Sequence, residues 1–382
     1  MKKITKIIGY TLLAIVVLIN LLIFFSGKTY LYKAIAYNFV DIDDNDLFNS
    51  REIATGNGTE WPQHTAYNKV KMPNRLLHEL ETYESVSFVV IKNDSLFYDQ
   101  YWEGYNESTL SNSFSMAKSI VSVLIGIAID EGKIKSIDEP VSNYLPEFAE
   151  GDLSKISIKH LLTMSSGLDW DEAYANPLSS TTEAYYGTNL YKLVTTQKAI
   201  AEPGKNFIYQ SGNSQLLGII VLKATGKTLS DYASEKLWKP IHAMNDADWS
   251  LDKEGGIEKA YCCFYSNAKD FARIGSLYLH HGKWKGKQVI DSSYVKMSII
   301  PSEIMDDGKP NSSYGLHWWI TQHKGQSIFY MRGILGQYVI VMPEENIVFV
   351  RLGHKRGQKN PSGELTDLPV YMDGVLEMTK NY

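Results

Sequence analysis

Ser115 and Lys118 lie three positions apart in the run SFSMAKSIVSVLIGIAIDEGK, residues 113–133. Their types and spacing suit a reaction. A serine hydroxyl is a weak nucleophile until a neighbouring base takes its proton. A lysine can be that base only when neutral, and an ordinary lysine titrates near ~10.4. Burial in a crowded site lowers that value. Around a helix at about 100° per residue, Ser115, Lys118, Ser119, Ser122 and Gly126 share one narrow stripe, while Met116, Ala117, Ile120, Val121, Val123, Leu124, Ile125, Ile127 and Ala128 cover the rest. Residues three apart meet on one face, so the amine can reach the hydroxyl at a helix N-terminus, where the backbone dipole favours a developing anion. Taken alone, the segment is explained more simply by a thin solvated face with Lys118 in water.

Two later stretches carry compatible chemistry. EPGKNFIYQSGNSQLLG, residues 202–218, places Tyr209 and Ser211 on an extended segment just before a helix. Residues two apart on an extended chain point the same way, so the two hydroxyls can act together in proton transfer. A buried tyrosine with a satisfied hydroxyl is the plainer reading of this stretch by itself. FYMRGILGQYVIV, residues 329–341, puts Gly333 and Gly336 in a strand context, where glycine often marks the close approach of a ligand or another backbone. The amide of Ile334 could then join that of Ser115 as an oxyanion hole.

The elements that must hold these residues read as an α+β fold. SVSFVVIKNDSLFYDQYWEG has two β-rich runs around KNDS, a hairpin signal. From about 140 to 300 the pattern is mostly helical, with helices expected in ISIKHLLTMSSGL up to Gly167, in NSQLLGIIVLKATGK up to Gly226 and in SNAKDFARIGSLYLHHGK up to Gly282. After Ser313 the period returns to two, with PEEN as a turn, and a helix closes the chain at roughly 363–378. The economical solution is one antiparallel sheet built from both ends of the soluble chain, flanked by helices, with a mostly helical insert. The expected organisation is an N-terminal membrane anchor or signal over 1–27, a polar, aperiodic linker over 28–80 and the main domain over 81–382.

The basic start MKKITK and the apolar run over residues 7–25 are long enough to span a bilayer, and no A-x-A cleavage pattern follows. An uncleaved single-pass anchor is favoured, with Lys2, Lys3 and Lys6 cytoplasmic and the rest extracytoplasmic, periplasmic or extracellular. The net charge of −5 over 382 residues leaves no basic stripe for a nucleic-acid partner. Cys262 and Cys263 are adjacent, a geometry that strains a bridge. They are expected to be two buried thiols, with no metal site.

SMAK, YQS with its following LLG, and RGILGQ occur in an order that resembles the serine β-lactamase and penicillin-binding-protein superfamily. The nearest branch is similar to class C-related esterases, D-aminopeptidases and 6-aminohexanoate-dimer hydrolases, over roughly residues 80–380. IDEPVSNYLPEF, HLLTMSSGLDW, NAKDFARIGSLYL and YGLHWW agree in order. The resemblance implies Ser115 as the acylated nucleophile, Lys118 as base, Tyr209 as proton shuttle, and the amides of Ser115 and Ile334 as the oxyanion hole beside Gly333. Ser211 takes the place of the more usual Asn, and no cofactor or metal is implied. Met331 stands where the family carries a Lys or His that binds a substrate carboxylate, and Arg332 should point away from that position. The expected activity is hydrolysis of a small ester, amide or peptide-like substrate. The alternatives are a D,D-peptidase or β-lactamase, or a sensor that is acylated without turnover. The pocket walls are expected around DEAYANPLSSTTEAYYGTNLY and PSEIMDDGKPNSS.

Overall fold

The computed structural model describes residues 2–37, 40–360 and 365–382. In chain order the first elements are α1 (Lys2–Ser26), α2 (Tyr30–Tyr37), β1 (Ser50–Ile53), α3 (Asn74–Thr82), β2 (Ser85–Lys92), β3 (Ser95–Tyr101), β4 (Ser111–Asn112) and α4 (Met116–Asp130). The middle of the chain supplies α5 (Ser180–Tyr186), α6 (Ser211–Thr225), β5 (Ala247–Ser250), β6 (Phe264–Ser266) and α7 (Ala268–Leu279), along with shorter helical turns. The last part supplies β7 (Trp319–His323), β8 (Gln326–Gly333), β9 (Gln337–Met342), β10 (Ile347–Gly353) and α8 (Leu368–Thr379).

β-Branched and aromatic residues from both ends of the chain pair into one six-stranded antiparallel sheet, ordered β7-β8-β9-β10-β2-β3. The β2–β3 hairpin turns at Asn93 and Asp94, both in the left-handed region at φ +51° and +59°, as a tight two-residue turn requires. PEEN forms the β9–β10 turn, with Asn346 left-handed at φ +51°.

Strand alternation separates two cores. Phe329, Met331, Val348 and Val350 face α4 and α7 in the larger core. Ile328, Tyr330, Ile347 and Phe349 face α3 and α8 in the smaller one. A second, four-stranded sheet, β1-β5-β6-β4, flanks the helical part.

The stretch 28–80, expected as a linker, is largely packed onto the domain. β1 pairs with β5, from Ser50 with Ser250 to Ile53 with Ala247. The Trp61 indole donates to the Lys269 carbonyl at 3.0 Å. Leu76 and Leu80 are fully buried beneath the sheet. The β1 pairing and the Trp61 contact reach partners far along the chain that no local period announces, whereas Leu76 and Leu80 have ordinary helical spacing. The helix after Ser157 runs only over Ile158–Leu162 and stops short of Gly167, whereas α6 does end at Gly226, in the left-handed region at φ +71°. The first strand after Ser313 begins at Trp319, because residues 314–318 bend around α4 instead.

Cys262 and Cys263 are both buried, as expected, but a disulfide joins them. Cys263 adopts a left-handed φ of +66°, and that turn brings the two sulfurs together. α1 is long and apolar enough to cross a membrane, with a mean hydropathy of 2.7 over its most apolar 18-residue window.

Candidate active site

α4 is buried from Met116 to Ala128, polar stripe included. Its stripe therefore does not face water. Ser119 Oγ donates to the His317 carbonyl at 2.6 Å and Ser122 Oγ to the Leu316 carbonyl at 2.8 Å. At Gly126 an added Cβ would lie 2.6 Å from Tyr294. Small residues here let residues 314–318 and Tyr294 lie directly on the helix.

Ser115 sits at the N-cap of α4, yet its hydroxyl makes no capping bond. The preceding residue, Phe114, takes a left-handed φ of +42°, a strained conformation for a bulky side chain. Its amide is held by the Asn112 side chain at 2.8 Å. The turn leaves the Ser115 hydroxyl for Lys118, whose Nζ is 3.0 Å away.

Lys118 is 1% exposed. Its Nζ also lies 3.2 Å from Ser211 Oγ and 2.8 Å from the Tyr261 carbonyl. The vicinal disulfide at 262–263 follows directly after that carbonyl. Tyr209 presents its ring to the amine, 5.0 Å from Nζ to the centroid. The other rings around it hold it in place: Trp319 stacks on Tyr209 at 5.6 Å and Tyr314 meets it edge-on at 6.2 Å.

Gln210 is extended, and Ser211 opens α6. The Ser211 hydroxyl donates to Glu172 Oε1 and its amide to Glu172 Oε2, each at 2.7 Å. The Glu172 carboxylate also accepts from the Trp170 indole at 2.8 Å, the Thr181 hydroxyl at 3.2 Å and the Tyr174 hydroxyl at 2.7 Å. Glu172 was not singled out from the sequence. Its segment reads there only as a pocket wall, and nothing local marks one carboxylate among its neighbours.

Gly333 closes the site from the sheet. An added Cβ there would lie 2.3 Å from the Ser113 carbonyl. This contact sets the Gly333–Ile334 backbone against the strand that leads into Ser115. Leu335 and Gly336, at φ +60° and +86°, turn the chain back into β9. Met331 is fully buried in the larger core. Arg332, one residue on, lies over the Trp319 ring at 3.6 Å. The sequence thus brings Ser115, Lys118, Tyr209 and Ser211 together, with Gly333 and Ile334 alongside.

A second serine lies beside a histidine but has a different character. Ser214 Oγ and His317 Nε2 are 2.8 Å apart, and His317 Nδ1 is 2.8 Å from the Leu162 carbonyl. A carbonyl only accepts, so Nδ1 carries the proton and Nε2 accepts from Ser214. Burial above all pushes His317 down to about 3. Both residues are buried, and the two ring nitrogens meet a hydroxyl and a carbonyl rather than a carboxylate. The pair is a structural clamp.

The Ser115–Lys118 pair lies between the antiparallel sheet and the helical region, and the chain is a serine hydrolase of the β-lactamase and penicillin-binding-protein superfamily. The chain belongs to the Beta-lactamase family, whose model matches residues 74–368. It is 27% identical over 315 residues to 6-aminohexanoate-dimer hydrolase of Paenarthrobacter ureafaciens, covering 76% of this chain and 79% of the relative. A solved Bacillus anthracis structure, provisionally named a 6-aminohexanoate-dimer hydrolase, superposes with a TM-score of 0.77 at 23% identity, covering 89% of this chain and 92% of that one. A family VIII carboxylesterase superposes with a TM-score of 0.64 at 15% identity, covering 84% of this chain and 99% of that one.

Proposed function

We propose that the chain is a membrane-anchored, extracytoplasmic hydrolase that cleaves an ester or amide through an acyl-enzyme on Ser115. Lys118 is the base, Tyr209 the proton shuttle, and the amides of Ser115 and Ile334 the oxyanion hole. The carrying observation is the set of partners around Lys118. The Tyr261 carbonyl can only accept, and the Ser211 hydroxyl already donates its hydrogen bond to Glu172. A neutral amine satisfies both with its two N–H bonds. Its lone pair is then left for the Ser115 hydroxyl at 3.0 Å. The network therefore accommodates the neutral, base form of the lysine with every partner matched.

The anchor is carried by α1. Hydrolysis of small amides and esters fits the similarity to 6-aminohexanoate-dimer hydrolase and to a family VIII carboxylesterase. Met331, buried and uncharged, supplies no cation for a β-lactam or peptide carboxylate, so nitrocefin and D-Ala release are expected to be poor.

A fluorophosphonate probe should label the protein stoichiometrically, and Ser115→Ala should abolish labelling. An alanine variant that labels like wild type rules out Ser115 as nucleophile. Lys118→Ala should lower turnover of a p-nitrophenyl ester by roughly 10²–10⁴-fold, measured on residues 28–382.

A further inference from the structure

Among the described residues the outward face of α2 is left exposed, apart from a Tyr32 hydroxyl contact with α1. Tyr30 and Ala34 turn inward and are buried, where α2 packs on α5. Tyr32, Ile35 and Ala36 point outward, Tyr32 and Ile35 being 42% and 64% exposed, with the exposed Lys33 and Tyr37 at the edge of this face. A helix that is apolar on both faces normally lies between two apolar surroundings. Here one of them is the domain.

The placement of α1 indicates the other. α1 and α2 are separated by residues 27–29, with Gly27 in the left-handed region at φ +70°. The chain folds back there, so that the Tyr32 hydroxyl donates to the Asn20 carbonyl at 3.4 Å. Asn20 lies six residues before the end of α1 at Ser26, or about 9 Å down the helix axis. With α1 across a bilayer, the outward face of α2 sits at the boundary of headgroups and acyl chains. Interfacial helices bury their apolar faces about 5–10 Å deep there, and tyrosines concentrate at that level.

The same helix is tied to the reaction site. The segment after Glu172 carries Tyr174 and Leu178, 54% and 58% exposed, and runs straight into α5, on which α2 packs. Its two ends are pinned together, with the Thr181 amide donating to the Asp171 carbonyl at 3.1 Å. One short, apolar-tipped rim therefore joins the Glu172–Ser211–Lys118 network to the helix beside the anchor.

We propose that α2 seats the domain on the bilayer with the 171–180 rim toward the membrane, and that the substrate is a membrane-resident amphiphile, a long-chain acyl ester or amide, cleaved at the interface. This rests on the hydrolase reading above. Ser115 Oγ bonds to the acyl carbon as the bond to the alcohol or amine breaks, and the serine proton leaves with that group. Water then cleaves the acyl-serine, releasing the carboxylic acid and restoring the hydroxyl.

The test uses the full chain in phosphatidylcholine–phosphatidylglycerol vesicles, with p-nitrophenyl acetate in solution and p-nitrophenyl palmitate in the bilayer. Ile35→Glu should lower palmitate turnover about tenfold or more and leave acetate turnover at wild-type level. In parallel, Ile35→Cys carrying a nitrobenzoxadiazole label should emit at shorter wavelength than the same label on Lys287→Cys, an exposed site in the short hairpin that follows α7. Equal palmitate rates in wild type and Ile35→Glu, or equal emission at the two positions, overturn the proposal. Absence of Ser115-dependent turnover of both esters instead overturns the hydrolase reading, and the substrate class with it. The label then still decides the seating.

Discussion

At the residue scale, the base role proposed for Lys118 depends on Glu172, which reaches it only through Ser211. By accepting the Ser211 hydrogen bond, the carboxylate obliges the Ser211 oxygen to accept from the lysine. Glu172→Gln can keep an oxygen toward the Ser211 amide and the Trp170 indole only by turning its NH₂ toward the Ser211 and Tyr174 hydroxyls, so that Ser211 no longer has an acceptor there. Turnover of a p-nitrophenyl ester should fall about 10–100-fold. Ser211→Ala should cost a similar factor. The double variant should cost little more than either alone, because both act through one hydroxyl. Fully additive losses would show that Glu172 acts elsewhere.

At the element scale, the site depends on how closely the end of β8 approaches the strand before α4. Gly333→Ala forces a Cβ onto the Ser113 carbonyl. Fluorophosphonate labelling of Ser115 should be lost, along with ~1–3 kcal/mol of stability. Gly275→Ala is the control: its Cβ would meet Val348 at 2.6 Å where α7 crosses the sheet, away from the nucleophile. It should cost similar stability in chemical denaturation and leave labelling intact. If both variants label normally, the close approach of Gly333 does not position the oxyanion amides.

At the scale of the whole molecule, buried titratable groups set the response to pH. His317 is neutral when folded, with its pKa lowered to about 3, chiefly by burial. In the unfolded chain it titrates near ~6.5. Between those values the unfolded state binds the extra proton, so the contribution is complete above pH ~6.5 and is lost as pH falls. Acidification from pH 7 to 5 should remove about 2 kcal/mol through this residue alone. His317→Asn should be less stable at pH 7 but show a shallower loss between pH 7 and 5 in urea denaturation. An unchanged slope would place the acid sensitivity elsewhere.

The sequence by itself determined the parts that depend on local periodicity. The three-residue step from Ser115 to Lys118 is a property of one helix, and the two-residue period near both ends of the chain foretells the sheet. The turns at KNDS and PEEN and the cap at Gly226 are likewise short-range. Tertiary structure decided what those elements meet. The stripe on α4 is equally compatible with water or with a packed neighbour until residues 314–318 settle on it. The Lys118 partners lie 93 and 143 residues away, and Glu172 reaches the site across 39 residues from Ser211. The β1 pairing, the Trp61 contact and the 262–263 bridge were hidden for the same reason. Helical and strand periods are fixed by backbone geometry within a few residues, whereas a buried polar network exists only once distant segments close on one another and exclude water.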